Sequence, residues 1–388
     1  MTYEFTDRLK ALPPYLFKEL DRIRDEVRAR GVDIIDLGVG DPDRPTPPHI
    51  IEALNKAAKD PKNHQYPVYT GMNAFRETVA DWYKRRHGVD LVAEAEVCSL
   101  IGSKEGLAQF PLAFINPGDV SLVPEPSYPV YRSGTLFAGG TSHFMPLLAK
   151  NAFLPDLSAI DEAILAKAKI IYVNYPNNPT GASATREFYA ELVAFAKKWN
   201  LIVVSDAAYS EVTWLDQPHP SILETPGAKD VAIEFHSLSK TYNMTGWRLG
   251  WAAGNSVLIK GLGLVKSNVD SGVFQAVQLA GMAALEGPQD CVAAMGQLYK
   301  ERRQVLIEGL NKAGIEVLKT DYTFYVWASV PKGLKSADFA SKLMNEVGVV
   351  TTPGNGFGPS GEGYIRLALV QEVPRLKEAA DRLAKLKF

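Results

Sequence analysis

Residues 168–181 read AKIIYVNYPNNPTG, a β-branched apolar run that ends in a loop of asparagine, proline and glycine. The next stretch, TREFYAELVAFAKKWN at 185–200, has helical spacing, and two more apolar runs follow, LIVVSDAAYSE at 201–211 and VAIEFHSLSK at 231–240. Apolar strands that alternate with helices are typical of a mostly parallel sheet covered by helices. The sequence therefore predicts an α/β fold, to which DVSLVPEPSYPVY at 119–131 adds another strand.

Polar residues follow several of these strands, which is where open α/β sheets place their ligands. Asp206 closes LIVVSD, so its carboxylate lies at the end of a buried strand, where a charge is costly unless it is paired. A capping aspartate is the plainer interpretation of that residue alone. Tyr209 follows three residues later and Lys240 ends the next apolar run, so adjacent strand ends are expected to bring the three side chains together.

The stretch SLSKTYNMTGWRLGW at 237–251 surrounds that lysine with serines and an arginine. Pyridoxal phosphate needs a lysine for covalent attachment, a carboxylate at the ring nitrogen, donors to the ring oxygen and a phosphate cup. Asp206 would hold the ring nitrogen, and Tyr209 and Asn178 would donate to the ring oxygen. The residues suited to the phosphate are Ser237, Ser239 and Arg248.

A competing interpretation takes SLSK as an acyl-transfer pair, as in penicillin-binding proteins, with Ser237 as the nucleophile and Lys240 as its base. That motif is short and occurs often by chance. The S-D-N and K-T-G elements that accompany it are absent from this sequence, so the cofactor interpretation is favoured.

Composition limits the possible partners and the compartment. A chain of 388 residues that is 46% hydrophobic can bury a large core, and its formal net charge of -2 provides no field that attracts nucleic acid or a membrane. Cys98 and Cys291 lie far apart, which indicates neither a disulfide framework nor a zinc cluster. No metal is therefore expected. The charged N-terminus lacks the apolar core of a signal peptide, so we expect a soluble, cytoplasmic protein.

The chain is predicted to divide into three parts. Residues 1–45 form an N-terminal arm and part of a small domain, beginning with an amphipathic helix over 17–30; residues 46–285 form a large cofactor-binding domain. Residues 286–388 complete the small α+β domain, whose strands include YTFYVWASV at 322–330 and GYIRLALV at 363–370.

Four of these stretches, in order, resemble the motifs of class I and II aminotransferases, which are fold-type I pyridoxal-phosphate enzymes: NYPNNPTG, VVSDAAYSE, the lysine stretch and GYIRLAL. The resemblance implies a mostly parallel seven-stranded sheet between helices. It also implies that Lys240 binds the cofactor covalently and carries the proton of the 1,3-shift. Tyr128 would stack on the ring, and the backbone of Ser103 and Lys104 in GSKEG would bind the phosphate.

The same resemblance implies residues that contact the substrate. Arg366 would grip the α-carboxylate with its planar fork, assisted by Asn178, and Gly40 and Tyr15 would line the entrance. Tyr66 and Asn268 match positions that family members contribute across a dimer interface. A homodimer with shared active sites is therefore expected.

Within this family, residues 15–51 and 101–131 most resemble the LL-diaminopimelate aminotransferases, which exchange an amino group between LL-2,6-diaminopimelate and 2-oxoglutarate in lysine biosynthesis. Better-known members of that group carry G-Y-G-P-E-Q-G where this chain has QYPVYTG, so Tyr69 stands in place of a glutamate. Aspartate, alanine and aromatic amino acids therefore stay open as donors. A non-catalytic regulator with an aminotransferase-like half is a further alternative, although no basic DNA-binding domain is recognisable at either end.

Overall fold

A computed structural model describes residues 2–12, 24 and 26–386. The strands in this part of the chain are β1 Ile35–Asp36, β2 Val97–Leu100, β3 Val120–Glu125, β4 Thr141–Pro146, β5 Ala168–Asn174, β6 Ile202–Asp206, β7 Ala232–Ser237, β8 Gly250–Gly254, β9 Tyr325–Ser329, β10 Val349–Val350, β11 Thr352–Pro353 and β12 Tyr364–Ala368. Seven of them form one sheet in the order β2-β8-β7-β6-β5-β3-β4. All its neighbouring strands run parallel except β8, which is antiparallel to both β2 and β7.

The α-helices of the described chain are Asp7–Lys10, Pro48–Ala58, Asn73–His87, Ala93–Glu96, Ser103–Gln109, Pro111–Phe114, Val130–Phe137, Glu162–Leu165, Arg186–Trp199, Leu238–Thr241, Ser256–Val269, Gln275–Glu286, Asp290–Lys312, Ser336–Val347 and Val373–Leu383. Residues 24 and 26–29 are also helical, and residue 30 forms a turn. Residues 17–23 and 25 of the helix predicted over 17–30 lie outside the described residues. Within the described ranges, none of the helices combines the length and the apolar character that a membrane span requires.

The central strand β5 of the large sheet is apolar on both faces because both faces are covered. In β5, Ile171 and Val173 pack into one hydrophobic cluster, whereas Ile170 and Tyr172 pack into another on the opposite face. A strand buried on both sides reads as a continuous apolar run rather than an alternating one. The predicted α/β fold is confirmed.

Two smaller sheets lie in the C-terminal part of the fold. β9, β11 and β12 form an antiparallel sheet in the order β11-β12-β9, and β1 pairs in parallel with β10. Ile35 and Leu37 share a hydrophobic core with side chains of the helices Asp290–Lys312 and Val373–Leu383. The domain boundaries at residues 45 and 285 stay a prediction.

The sequence did not identify β2, β4, β8, β10 and β11 as strands. β8 overlaps the end of the lysine stretch and contains two glycines, which depress strand propensity. Gly250 is required there because a Cβ atom would lie 2.4 Å from the carbonyl oxygen of His236. Glycine is therefore needed in β8 because this strand approaches β7 closely. That approach exists only in the folded chain.

Candidate active site

A cavity of about 500 Å³ lies where β5, β6 and β7 end. Register brings Asn174 beside Asp206, and the lysine helix Leu238–Thr241 begins directly after β7. The cavity is lined by Val39, Gly40, Ser103, Lys104, Tyr128, Asn174, Asn178, Asp206, Ala208, Tyr209, Ser237, Ser239, Lys240, Thr245, Arg248, Tyr325, Phe357 and Arg366. Twelve of the residues singled out in the sequence are among them.

Lys240 is partly buried, and its Nζ donates a hydrogen bond of 3.3 Å to the carbonyl oxygen of Gly40. Burial is the main cause that lowers the pKa of Lys240 to about 8; Asp41 opposes this shift, and Arg366 and Arg248 contribute to it. A lysine with that pKa is neutral in roughly a tenth of the molecules at pH 7. The amine can therefore act as a nucleophile and as a base.

Asp206 is buried at the end of β6. Its Oδ2 accepts a hydrogen bond of 2.7 Å from the Tyr131 hydroxyl, and its Oδ1 accepts one of 3.2 Å from the Ala208 N–H. Burial raises the pKa of Asp206, and these two donors oppose that shift. Tyr131 was not among the predicted site residues, although it stands three residues after Tyr128 in the quoted PSYPVY.

Tyr209 contacts a second tyrosine that was not among the predicted site residues. Its hydroxyl lies 3.0 Å from the hydroxyl of Tyr325, in β9. Burial is the main cause that raises the pKa of Tyr209 well above its ordinary value, so the phenol stays protonated and can donate. Gly40 is needed beside this pair because a Cβ atom would lie 2.2 Å from the Tyr325 hydroxyl oxygen.

Arg248 approaches the turn before the helix Ser103–Gln109. It has a left-handed backbone with φ of 57°, and its Nη1 and Nη2 donate to the carbonyl oxygens of Thr245 at 2.9 Å and Ile101 at 3.4 Å. Within the described residues it forms no ion pair with a carboxylate. Ser237 and Ser239 line the same cavity, so hydroxyl and guanidinium donors are available there for an anion.

Arg366 is a buried arginine in β12. It donates 2.8 Å from Nη1 to the Asn178 Oδ1 and 2.7 Å from Nη2 to the carbonyl oxygen of Gly38. Its guanidinium carbon lies 4.3 Å from the ring centre of Tyr325 and 4.8 Å from that of Phe357. Among the residues that the structure covers, no carboxylate pairs with it, and burial lowers its pKa. Such a cation is suited to a carboxylate brought by a ligand.

Comparison with known proteins identifies the family. Residues 32–383 match the profile described as aminotransferase class I and II. The chain belongs to the class I and II aminotransferases. LL-diaminopimelate aminotransferases from Aquifex aeolicus (strain VF5) and Maridesulfovibrio salexigens are 59% and 60% identical to it, covering 100% and 99% of each chain. The solved structure of apo BacF from Bacillus subtilis superimposes with a TM-score of 0.95 at 39% identity, covering 100% of this chain and 99% of that one.

Two predicted site residues of this aminotransferase, Tyr66 and Asn268, do not line the cavity. Tyr66 is 89% exposed, and Asn268 is exposed near the end of the helix Ser256–Val269. Tyr15 lies outside the described residues. The assignment of Tyr66 and Asn268 to a neighbouring subunit's site stays a prediction.

Six lining residues of this aminotransferase were not predicted from the sequence: Val39, Asn174, Ala208, Thr245, Tyr325 and Phe357. Asn174 opens the quoted NYPNNPTG, and its Nδ2 donates 2.8 Å to the backbone oxygen of Asp206. Phe357 belongs to no motif that can be recognised in a single sequence. It was not identifiable because it comes from a glycine-rich loop that reaches the cavity only through tertiary packing.

Proposed function

We propose that this aminotransferase uses pyridoxal phosphate to exchange an amino group between LL-2,6-diaminopimelate and 2-oxoglutarate, in lysine biosynthesis. One observation supports this choice of substrate. Eight curated relatives, which are 53–60% identical over 97–100% of their own lengths, are all LL-diaminopimelate aminotransferases. Class I and II aminotransferases depend in general on pyridoxal phosphate.

The donor set of the cavity fits that cofactor. Arg248 and Arg366 both lack a carboxylate partner among the described residues, and an arginine that is not paired within its own chain is suited to an anion from outside. Lys240, with its lowered pKa, lies in the same cavity as the buried carboxylate of Asp206. The phosphate, the aldehyde and the ring nitrogen of the cofactor match Arg248, Lys240 and Asp206, respectively. The substrate carboxylate matches Arg366.

When bound, pyridoxal phosphate supplies an aldehyde that links to amines and a ring that accepts electrons. Lys240 would provide the amine for attachment, and its neutral form would take the proton from the substrate α-carbon and carry it through the 1,3-shift. Asp206 holds a proton at the ring nitrogen, with its own carboxylate oriented by Tyr131 and Ala208. Tyr209 donates to the ring oxygen, as does the side-chain amide of Asn178.

Other lining residues bind and orient the cofactor. Tyr128 stacks on the ring, and Arg248 contacts the phosphate together with Ser237, Ser239 and the backbone of Ser103 and Lys104. Arg366 binds the substrate α-carboxylate, with Asn178 fixing the guanidinium plane through its 2.8 Å contact. Gly40 leaves space at the entrance, for which Tyr15 is proposed as a second boundary.

We also propose a cytoplasmic homodimer. An exposed apolar surface, here called the interface patch, supports the dimer; it consists of Tyr66, Val68, Tyr69, Val257, Leu264, Val269 and Phe274. Tyr69, Val257 and Leu264 line one shared cleft, so the patch is contiguous at least there. Contiguous exposed apolar surface marks association sites, and a second copy of the chain is the occupant that would bring Tyr66 and Asn268 to a neighbouring cavity.

A panel of amino donors tests the substrate. The purified protein is incubated with 2-oxoglutarate and LL-diaminopimelate, meso-diaminopimelate, aspartate, alanine or phenylalanine, and glutamate formation is measured. We expect kcat/KM for LL-diaminopimelate to exceed that for every other donor by at least ~10-fold, about 1.4 kcal/mol of discrimination. A higher kcat/KM for aspartate, alanine or phenylalanine would overturn the substrate assignment and leave the reaction class intact.

A further inference from the structure

Lys266 lies outside the cavity, on the helix Ser256–Val269, and its side chain is fully buried. Its Nζ lies 3.2 Å from both carboxylate oxygens of Glu105 and 3.1–3.2 Å from both of Asp270. Those two side chains are only 14% and 13% exposed. Because an unpaired buried charge is costly, these three residues, here called the charge triad, form one interdependent unit.

One arm of the charge triad reaches the cavity wall. The Oε2 of Glu105 also accepts a 3.0 Å hydrogen bond from the N–H of Ile101, and the carbonyl oxygen of Ile101 accepts from Arg248. Gly102 follows with φ of +74°, and a Cβ atom there would lie 2.3 Å from the Arg248 Nη2. The charge triad therefore binds the backbone N–H of Ile101, and Arg248, the proposed phosphate ligand, binds the carbonyl oxygen of the same residue.

The other arm reaches the interface patch. The Oδ1 of Asp270 accepts a 2.7 Å hydrogen bond from the N–H of Gly272. Gly272 has φ of +85°, and a Cβ atom on it would lie 2.8 Å from the carbonyl oxygen of Val68 and 3.1 Å from the Cα of Tyr69. Asp270 thus fixes a loop that packs directly on the backbone of the patch.

We infer that the charge triad couples the proposed phosphate site to the interface patch. Lys266, Glu105 and Asp270 are positioning residues, and through them binding of the cofactor phosphate and association with a second copy of this chain strengthen each other. This inference rests on the proposed cofactor and the proposed homodimer. Burial raises the pKa of Glu105 while Lys266 opposes that shift, so the carboxylate depends on the lysine to stay charged.

The physical reason is that each arm orders the same lysine. A phosphate bound by Arg248 orders the turn at Ile101 and, through it, the side chain of Glu105. Because Glu105 then restricts Lys266 and Asp270, these two residues lose less conformational entropy when a partner covers the patch. Coupling of this kind is reciprocal, so a patch covered by a partner must tighten phosphate binding by the same factor.

The test measures the dimer dissociation constant by sedimentation with no cofactor, with saturating pyridoxal phosphate and with saturating pyridoxal, which lacks the phosphate. For the wild-type protein we expect pyridoxal phosphate to tighten the dimer ~10-fold or more, and pyridoxal to tighten it less than about 3-fold. In the variant Glu105→Gln/Lys266→Met/Asp270→Asn, which leaves no unpaired charge, the effect of pyridoxal phosphate should fall below about 3-fold.

A second variant protects the test against misfolding. Asp270→Asn removes the charge that links Lys266 to the patch, keeps an amide oxygen that can accept from the Gly272 N–H, and leaves a balanced Lys266–Glu105 pair. Its cofactor effect should also fall. Lys342→Met/Glu346→Gln removes an exposed pair of the same i,i+4 spacing as Lys266–Asp270 and should keep the wild-type effect. The inference is overturned if Asp270→Asn keeps the wild-type effect, or if pyridoxal tightens the wild-type dimer as much as pyridoxal phosphate does. A wild-type chain that neither binds pyridoxal phosphate nor dimerises would instead overturn the proposed function.

Discussion

Lys240 is the residue on which the proposed chemistry depends most directly, because it provides both the amine for attachment and the base for proton transfer. In Lys240→Ala we expect kcat to fall by at least ~10³-fold, within the range of a lost general base. The fold should stay intact, since the side chain is only partly buried and makes one long hydrogen bond. Glutamate formation measures the loss, circular dichroism checks the fold, and exposed Lys56→Ala serves as control.

Arg366 allows a test of geometry at constant charge. Arg366→Lys keeps the cation but loses the planar fork that donates to Asn178 and Gly38. We expect kcat/KM to fall ~10-fold or more for every amino donor and every oxo acid alike, about 1.4 kcal/mol, with near-normal retention of pyridoxal phosphate on dialysis. A loss confined to diaminopimelate would move Arg366 to the distal end of the substrate.

At the scale of an element, the turn at residues 101–102, directly before the helix Ser103–Gln109, combines a left-handed glycine with a contact to Arg248. In Gly102→Ala the added Cβ would lie 2.3 Å from the Arg248 Nη2, in addition to the strain of a residue at φ of +74°. We expect the dissociation constant of pyridoxal phosphate to rise ~10-fold or more, as measured by absorbance titration. The reason is that Arg248 must move away from the cup to accommodate the methyl group.

The control for this prediction separates strain from contact. Gly314→Ala has almost the same backbone angle, φ of +75°, but no atom lies within 4 Å of the added Cβ. It should cost ~1 kcal/mol of unfolding free energy and leave cofactor affinity unchanged. Equal cofactor affinity in the Gly102→Ala and Gly314→Ala variants would remove Arg248 and its turn from the phosphate cup.

At the scale of the whole molecule, Glu234 joins several elements beneath the large sheet. Buried in β7, it accepts hydrogen bonds from Tyr83, Ser205, Ser221, the Ile222 N–H and His236. Burial acts to raise the pKa of Glu234, but His236 and the other donors outweigh it and hold the pKa at about 2, below the ordinary 4.5. Its contribution to stability is therefore fully present above pH 4.5 and is lost as the pH falls through 2.

This linkage predicts acid sensitivity. The contribution of Glu234 to the unfolding free energy should decrease by about 1 kcal/mol at pH 4 and about 2 kcal/mol at pH 3 relative to pH 7. Urea unfolding at these pH values measures it, and Glu234→Gln should show a flatter pH dependence than the wild type. Exposed Glu346→Gln should follow the wild-type curve. Parallel curves for wild type and Glu234→Gln would contradict the low pKa.

The sequence alone determined the fold class and most of the cavity. Apolar runs that alternate with helical spacing indicated a sheet buried on both faces, and the polar residues after those runs, such as Asp206 and Lys240, were expected at one edge. That expectation holds because parallel strands end at a common edge, so position along the chain translates directly into position in space.

Tertiary structure alone decided which side chains meet across elements distant in sequence. Tyr325 reaches Tyr209 from a strand more than 100 residues away, and Lys266 finds Glu105 across a similar separation. Such contacts follow no local period, because they depend on how helices and sheets pack. The strand β8 belongs here too, since its Gly250 lies directly against the backbone of His236 in the neighbouring strand.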